Sequence, residues 1–528
     1  MVKSALALFG GALLLTACGD PTKMSTKPGG ADSMFRPSPN GFSFENYDNT
    51  DVVNLTNAEM QRLFGDQVCG SMTGGCTLTP AAQEWMERMN ADMEFGHSEG
   101  IAILSLRLYT QEAQARDFGK GATNAYDLDL MNNEKLQREI AYWFTTQTLI
   151  PQFPALTPSE FVGALRAGLA SPSNIFTATI GVYQRNGSQG HALTPYQLID
   201  KGEGLYTVML YDNNTPTEER HMNLDTKAET WQYQAADDSL DPAGDYRGDA
   251  TTNTLHLTPL YRRLQQQFPC PFCGIVRPGQ IPSGGLPEII MNGEGHLLIT
   301  DAMGKRIGYV DGHLTNEWAE AGVVRLRGHG FYSEDTEPLY YVPGTSDLDI
   351  TIDGSGLDAD SQTDVGFFGP GFTMEVLELP LAPNQKDTLS VTRSGDRLRY
   401  QTAGDAAPLL VLGVQTPASG YKFQIRASGD PSGQAVRLVH DLAGGRLKIL
   451  IENRASPTYN LDVQVDRIGS SGLESFSHVA DPAVTLKTTD VAYLSYGGWN
   501  GTGKPMSLGI DRNNDGIIDQ TIVLSDQN

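Results

Sequence analysis

Positive charge is scarce in this chain. Its 528 residues carry 38 Lys and Arg against 63 Asp and Glu, a formal net charge of −25. Nucleic acids and anionic membrane surfaces are bound through basic footprints, so this balance argues against both as partners. A phosphate-cradling Gly loop and a dinucleotide fingerprint are missing too, which leaves nucleotide chemistry without a motif. His97, His221, His256, His296, His313, His329, His440 and His478 show no zinc spacing with carboxylates, and His329 in Arg327-Gly-His-Gly reads as an isolated loop residue. Only one apolar run is of any length, Ala5–Leu15, and it is too short to span a bilayer. Cysteine is rare, with 5 in the whole chain.

What is present begins with an address. Lys3, the apolar run and Leu15-Thr16-Ala17-Cys18 form a lipobox, so residues 1–17 read as a lipoprotein signal peptide. The plain alternative is an ordinary signal peptide that happens to hold a Cys. Processing before Cys18 and acylation of that residue would hold the chain on a membrane, at about 0.8 kcal/mol per buried methylene. Gly19, where Asp would signal retention, favours the outer membrane or cell surface. Residues 18–50 hold Pro21, Pro28, Gly29, Gly30, Pro37, Pro39 and Gly41 and few apolar side chains, the composition of a tether. The remainder is expected to be exported and soluble, and about three domains is the natural division at this length.

With Cys18 acylated, Cys69, Cys76, Cys270 and Cys273 remain. An even count outside the cytosol suggests disulfides, and a Cys69–Cys76 bridge would staple the Gly-rich loop between them. Cys270-Pro-Phe-Cys273 has redox-pair spacing, yet Pro269 and Pro271 set it in a linker-like stretch. A four-Cys metal site is the other alternative. Spacing alone does not give the pairing.

Helices are expected first and strands later between residues 51 and 260. Thr56-x-x-Glu59 and Thr157-Pro-Ser-Glu160 are capping boxes, and Thr79-Pro80 opens a helix with Trp85, Met89 and Met93 on one stripe. Further helices are expected over 133–149 and 160–169. After His191 the pattern turns strand-like through Pro195–Ile199, a Gly202-Glu-Gly204 turn, Tyr206–Tyr211 and the runs near 220–224 and 230–233. Residues 261–285 read as a linker. From 286 short apolar alternations recur between Gly, Asp and Asn turns, the pattern of sandwich domains, with a cut near 385 giving modules at 286–384 and 385–528.

Three short motifs carry a resemblance. Gly96-His-Ser-Glu-Gly-Ile-Ala102 places Ser98 at a helix start, Gly190-His191-Ala-Leu-Thr-Pro-Tyr196 opens a strand, and Tyr211-Asp-Asn-Asn-Thr-Pro216 closes the next. In this order they resemble the papain-like (bacteriocin-processing, transglutaminase-like) cysteine peptidase family, with Ser98 where the family carries its Cys. The resemblance covers about 51–260. It implies an α+β papain-like domain ahead of the all-β sandwich-type region, His191 as base, Asp212 as its orienter, and Asn213 or Asn214 as fallback for that third role. Asn90 is the one candidate for an oxyanion amide. A thiol near pKa 8.5 is brought into reach by a helix dipole and an imidazolium, whereas a serine hydroxyl needs a well-aligned general base. The expectation is therefore a degenerate papain-like domain in a membrane-anchored lipoprotein, acting as a binding or structural module for a peptide or protein partner. The alternatives are a Ser98-His191-Asp212 hydrolase or acyltransferase, and adhesion through the β region.

One further pattern lies near the end. Asp511, Asn513, Asp515, the Ile517 carbonyl and Asp519 around Gly516 match the first part of a calcium loop, but position 12 is Ile522. An Asn-Asp-Gly hairpin turn explains it equally. No cofactor is required by this reading beyond, at most, a structural Ca2+.

Overall fold

The computed structural model describes residues 30–151, 153–170, 177–235, 244–328, 337–404, 406–429, 434–452, 459–479, 484, 486 and 490–527. The signal peptide, Cys18, the start of the tether and His329 lie outside them.

Among the described residues there are six α-helices, three of them opened by a Thr cap. They are α1 (Pro37–Asn40), α2 (Asn57–Phe64), α3 (Pro80–Asp92), α4 (Ser98–Tyr109), α5 (Glu134–Leu149) and α6 (Pro158–Leu169). Thr56 and Thr157 make the expected capping boxes with Glu59 and Glu160, and Thr79 caps α3 ahead of Pro80. Helix α4 is buried along nearly its whole length and accordingly central: Ile101, Ala102, Ile103 and Leu104 have no exposed surface. Gly100 lets α5 approach, since a Cβ there would strike the Ile140 carbonyl.

An eight-stranded antiparallel sheet follows, built on Ala178–Val182, His191–Gly202, Leu205–Asp212, Arg220–Asp225, Thr230–Gln234, Asp245–Asp249 and Leu255–Pro259. Phe161, Val162 and Leu165 of α6 pack on it against Ile180, Leu193, Val208 and Met222. The eighth strand corrects the tether: Ala31–Asp32 pairs with Gln197 and Leu198, and Phe35 and Phe42 are fully buried against Tyr211 and its neighbours. From residue 30 this segment is part of the N-terminal unit. Two phenylalanines spaced seven apart among Pro and Gly find a ready-made core, which composition alone does not reveal.

The linker and the cut at 385 are corrected as well. Phe272 lies between Phe64 and Trp85, ring centroids 5.2 and 5.0 Å away, so 268–276 is packed along the junction. The β region is one body. A nine-stranded and an eleven-stranded sheet enclose a single core that runs in sequence from Val276 to Leu524. From residue 361 hairpins alternate between the sheets: 361–381 in the first, 386–401 in the second, 409–428 in the first, 435–452 in the second, and so on. Each hairpin pairs with the next one in its own sheet, so Leu348–Asp353 against Lys386–Val391 and Phe372–Leu377 against Leu409–Val414 both cross the expected boundary. The bridges Cys69–Cys76 and Cys270–Cys273 form, each within one loop.

The nine-stranded sheet is buried on both faces along the strands Glu288–Asn292 and Phe372–Leu377, while its far strands Gly420–Ser428 and Asn460–Gly469 alternate buried with half-buried or exposed residues. Its strands alternate between two cores, Ile289, Met291 and Phe367 toward the sandwich and Ile290 and Phe368 toward the helices. Helix α3 lies across its outer face, with Arg88 paired to Asp364, Glu84 accepting from Lys422 at 2.9 Å, and the Trp85 indole donating to Glu288 at 2.8 Å.

Burial raises the Glu288 carboxyl to about 7, with the Trp85 hydrogen bond working weakly against it. The native state therefore keeps its proton while the unfolded chain gives it up from about 4.5, and stability falls as pH rises between those values. Glu288→Gln keeps an acceptor for Trp85 and should flatten that fall, seen as a smaller difference in urea midpoint between about pH 5 and about pH 8. An unchanged difference would place the titration elsewhere.

Candidate active site

The three motifs converge. Helix α4 delivers Ser98 at its first residue, the strand from His191 passes beside it, and the neighbouring strand ends in Asp212, which pairs in register with Leu193. His191 Nδ1 stands 3.1 Å from Ser98 Oγ, and Nε2 stands 2.8 Å from Asp212 Oδ1. Nε2 donates to the carboxylate, which leaves Nδ1 facing the serine hydroxyl. Asp212 is held further by the Tyr233 hydroxyl on its other oxygen and by the Asn214 amide at 2.8 Å. Burial pushes this carboxyl up, but the His191 charge and these hydrogen bonds outweigh it and leave the group below its ordinary value.

Asn213 does not touch the imidazole. Its Nδ2 donates to the Ser98 carbonyl at 3.0 Å and to the Ala192 carbonyl at 3.3 Å, tying the helix start to the His191 strand. Asn90 is also elsewhere, exchanging hydrogen bonds with the backbone of Leu55. The side-chain amide near the helix start belongs to Asn46, within the stretch expected as tether. His97, just before Ser98, is buried on the Tyr47 carbonyl, and burial lowers its pKa to about 4, so it is neutral.

The groove is full. Residues 326–328 of the β body run across the start of α4, where helical amides have no partner within the helix. The Gly328 carbonyl accepts from Ser98 N at 3.4 Å and from Asn46 Nδ2 at 3.0 Å. The Arg327 carbonyl accepts from Glu99 N at 3.0 Å and lies 3.3 Å from Ser98 Oγ, a second acceptor for the hydroxyl proton. His97 supplies no side-chain cap, so this segment caps the helix instead. Ser98, His191 and Asp212 have no exposed surface. Ala192 N adds a donor to Ser98 Oγ at 2.9 Å, which fixes the oxygen in place.

Beneath the segment sits a charge network that the sequence motifs did not announce. Glu99, the neighbour of Ser98, is fully buried and receives Arg263, Arg327 at 3.5 Å and the Thr179 hydroxyl at 2.9 Å. Arg327 also donates from Nε to the Tyr183 hydroxyl and from Nη1 to Thr258 Oγ1, each at 3.0 Å. The one sequence signal is an acid just ahead of the apolar run Ile101–Leu104.

The calcium pattern sits in a hairpin loop between Met506–Asp511 and Gln520–Leu524. Asp511 spends its oxygens on the amides of Asn513, Asp515 and Gly516, Asp515 accepts from Ile517 N, and Asp519 accepts from Arg512 N. Among the described residues no three His, Cys, Asp or Glu side chains converge on a point that could hold a metal ion, and no helix is long and apolar enough to cross a membrane. No family model, curated protein or solved structure matches this chain.

Replacing Glu99 by Ala leaves two guanidinium groups facing each other without their carboxylate. Loss of one partner from a buried ion network costs roughly 3–5 kcal/mol, so Glu99→Ala should shift the urea midpoint strongly. A change under about 1 kcal/mol would show that the network is solvated and contributes little.

Proposed function

We propose that this is an exported, lipid-anchored protein whose N-terminal unit is a papain-like fold used as a binding and structural module. In this reading the groove at Ser98 holds a peptide segment and joins the helical unit to the β body. One observation carries it: the amides that would receive a substrate carbonyl are already bonded to the carbonyls of Arg327 and Gly328, above a serine with no exposed surface.

The chemistry of the nucleophile supports it. A cysteine in this place is ionised before attack, so its base only has to hold a proton already transferred. A serine must lose its proton during attack, and here that proton has two acceptors, His191 Nδ1 and the Arg327 carbonyl. The second reading, a serine hydrolase or acyltransferase, is favoured by the 3.1 and 2.8 Å separations within Ser98-His191-Asp212. Membrane attachment rests on the lipobox at Leu15–Cys18.

A serine-directed fluorophosphonate should leave the full-length protein unlabelled. Labelling at Ser98 that disappears in His191→Ala would replace the module reading with the hydrolase. Separately, cells fed labelled palmitate should incorporate it into the wild type and not into Cys18→Ser; equal incorporation would remove the anchor from this account.

A further inference from the structure

The groove is shaped for a particular kind of segment. Three glycines open its walls, two to main chain and one to a side chain: a Cβ at Gly96 would strike the Gly328 carbonyl, one at Gly190 the Leu326 carbonyl, and one at Gly181 the Arg327 guanidinium. Gly181 and Gly190 lie on or beside one pair of neighbouring strands, and Gly96 comes from the turn before α4.

Two positions within the segment are also specified. At 328 any side chain would collide, because a Cβ would lie 2.6 Å from the Gly96 carbonyl and 3.1 Å from the Phe144 ring. At 327 the side chain is 4% exposed and enters a socket of Tyr183, Thr258 and Glu99. The three partners are spread across Nε and Nη1, which suits the planar fork of arginine and not the point charge of lysine. Its backbone N–H donates to Gln147 Oε1 at 2.8 Å. A body of net charge −25 further favours a cationic segment over an anionic one.

We propose that the Ser98 groove is a receptor selective for extended peptide carrying Arg followed directly by Gly, and that Leu326–Gly328 is its occupant in cis. This rests on the binding-module reading above. Selectivity follows from the socket for the guanidinium, from the steric demand for Gly after it, and from carbonyl capture by the first amides of α4.

The test uses the full-length protein with Arg327→Ala and the peptide N-acetyl-Leu-Arg-Gly-amide, followed by hydrogen exchange over residues 97–101. In the variant, exchange there should accelerate by about tenfold or more as the segment loses its anchor. The peptide should restore protection in a dose-dependent way, while Leu-Lys-Gly, Leu-Ala-Gly and Leu-Arg-Ala should not, and the filled wild-type groove should not respond. Unchanged protection in Arg327→Ala, or equal rescue by Leu-Ala-Gly, would overturn the proposal. If Arg327→Ala does not fold, Arg327→Lys serves: protection equal to wild type would remove the selectivity for guanidinium, and rescue by Leu-Arg-Gly alone would support it. Fluorophosphonate labelling of Ser98 in the opened variant, lost with His191→Ala, would end the non-catalytic reading while leaving the peptide selectivity to be judged by exchange.

Discussion

A single buried carboxylate organises the junction of this molecule. Glu99 sits at the second position of α4 with no solvent contact, and an isolated ion there would cost several kcal/mol. Its partners, Arg263 and Arg327, lie 164 and 228 residues away in the chain. The carboxylate is therefore compensated only when the helical unit, the segment after the eight-stranded sheet and the β body have all docked. The surplus guanidinium donors are absorbed by the hydroxyls of Thr146, Tyr183 and Thr258. Closing the groove over Ser98 follows from the same requirement, because the residue that brings Arg327 to Glu99 also brings its carbonyl to the helix start.

The same docking explains the middle sheet. A sheet with apolar side chains on both faces needs two covers, and here the second sheet provides one and α2, α3 and the 268–276 segment the other. The polar groups trapped at that second interface are paired across it, Arg88 with Asp364, Lys422 with Glu84 and Asn292 with Asp92 at 2.7 Å. Such pairs add little net energy when both ions are desolvated, yet each penalises a misaligned arrangement. They give the helical unit one seat on the sheet.

At the site itself, geometry and reactivity diverge. Ser98, His191 and Asp212 stand at hydrogen-bond distances, but a nucleophile also needs a path for substrate and a proton with one destination. Both are altered by residues 326–328, which cover the hydroxyl and offer it a second acceptor.

Local features were legible in the residues: both capping boxes, the buried face of α4, the strands after His191 and the alternation of the β region, while the grouping of Ser98, His191 and Asp212 came from the motif resemblance. These depend on periodicity, caps and turn residues, which act over a few positions. The packing of Phe35 and Phe42, the amide of Asn46, the partners of Glu99 and the single β body were not legible. Every hairpin after 361 shows the same alternation, so nothing local says that Lys386–Val391 joins Leu348–Asp353 and closes the supposed boundary at 385. Sequence by itself determined the capped helices and the alternating strands, because caps and periodicity act locally. Tertiary structure alone decided that the matched site is filled, because that depends on one buried charge finding its partners across more than two hundred residues of chain.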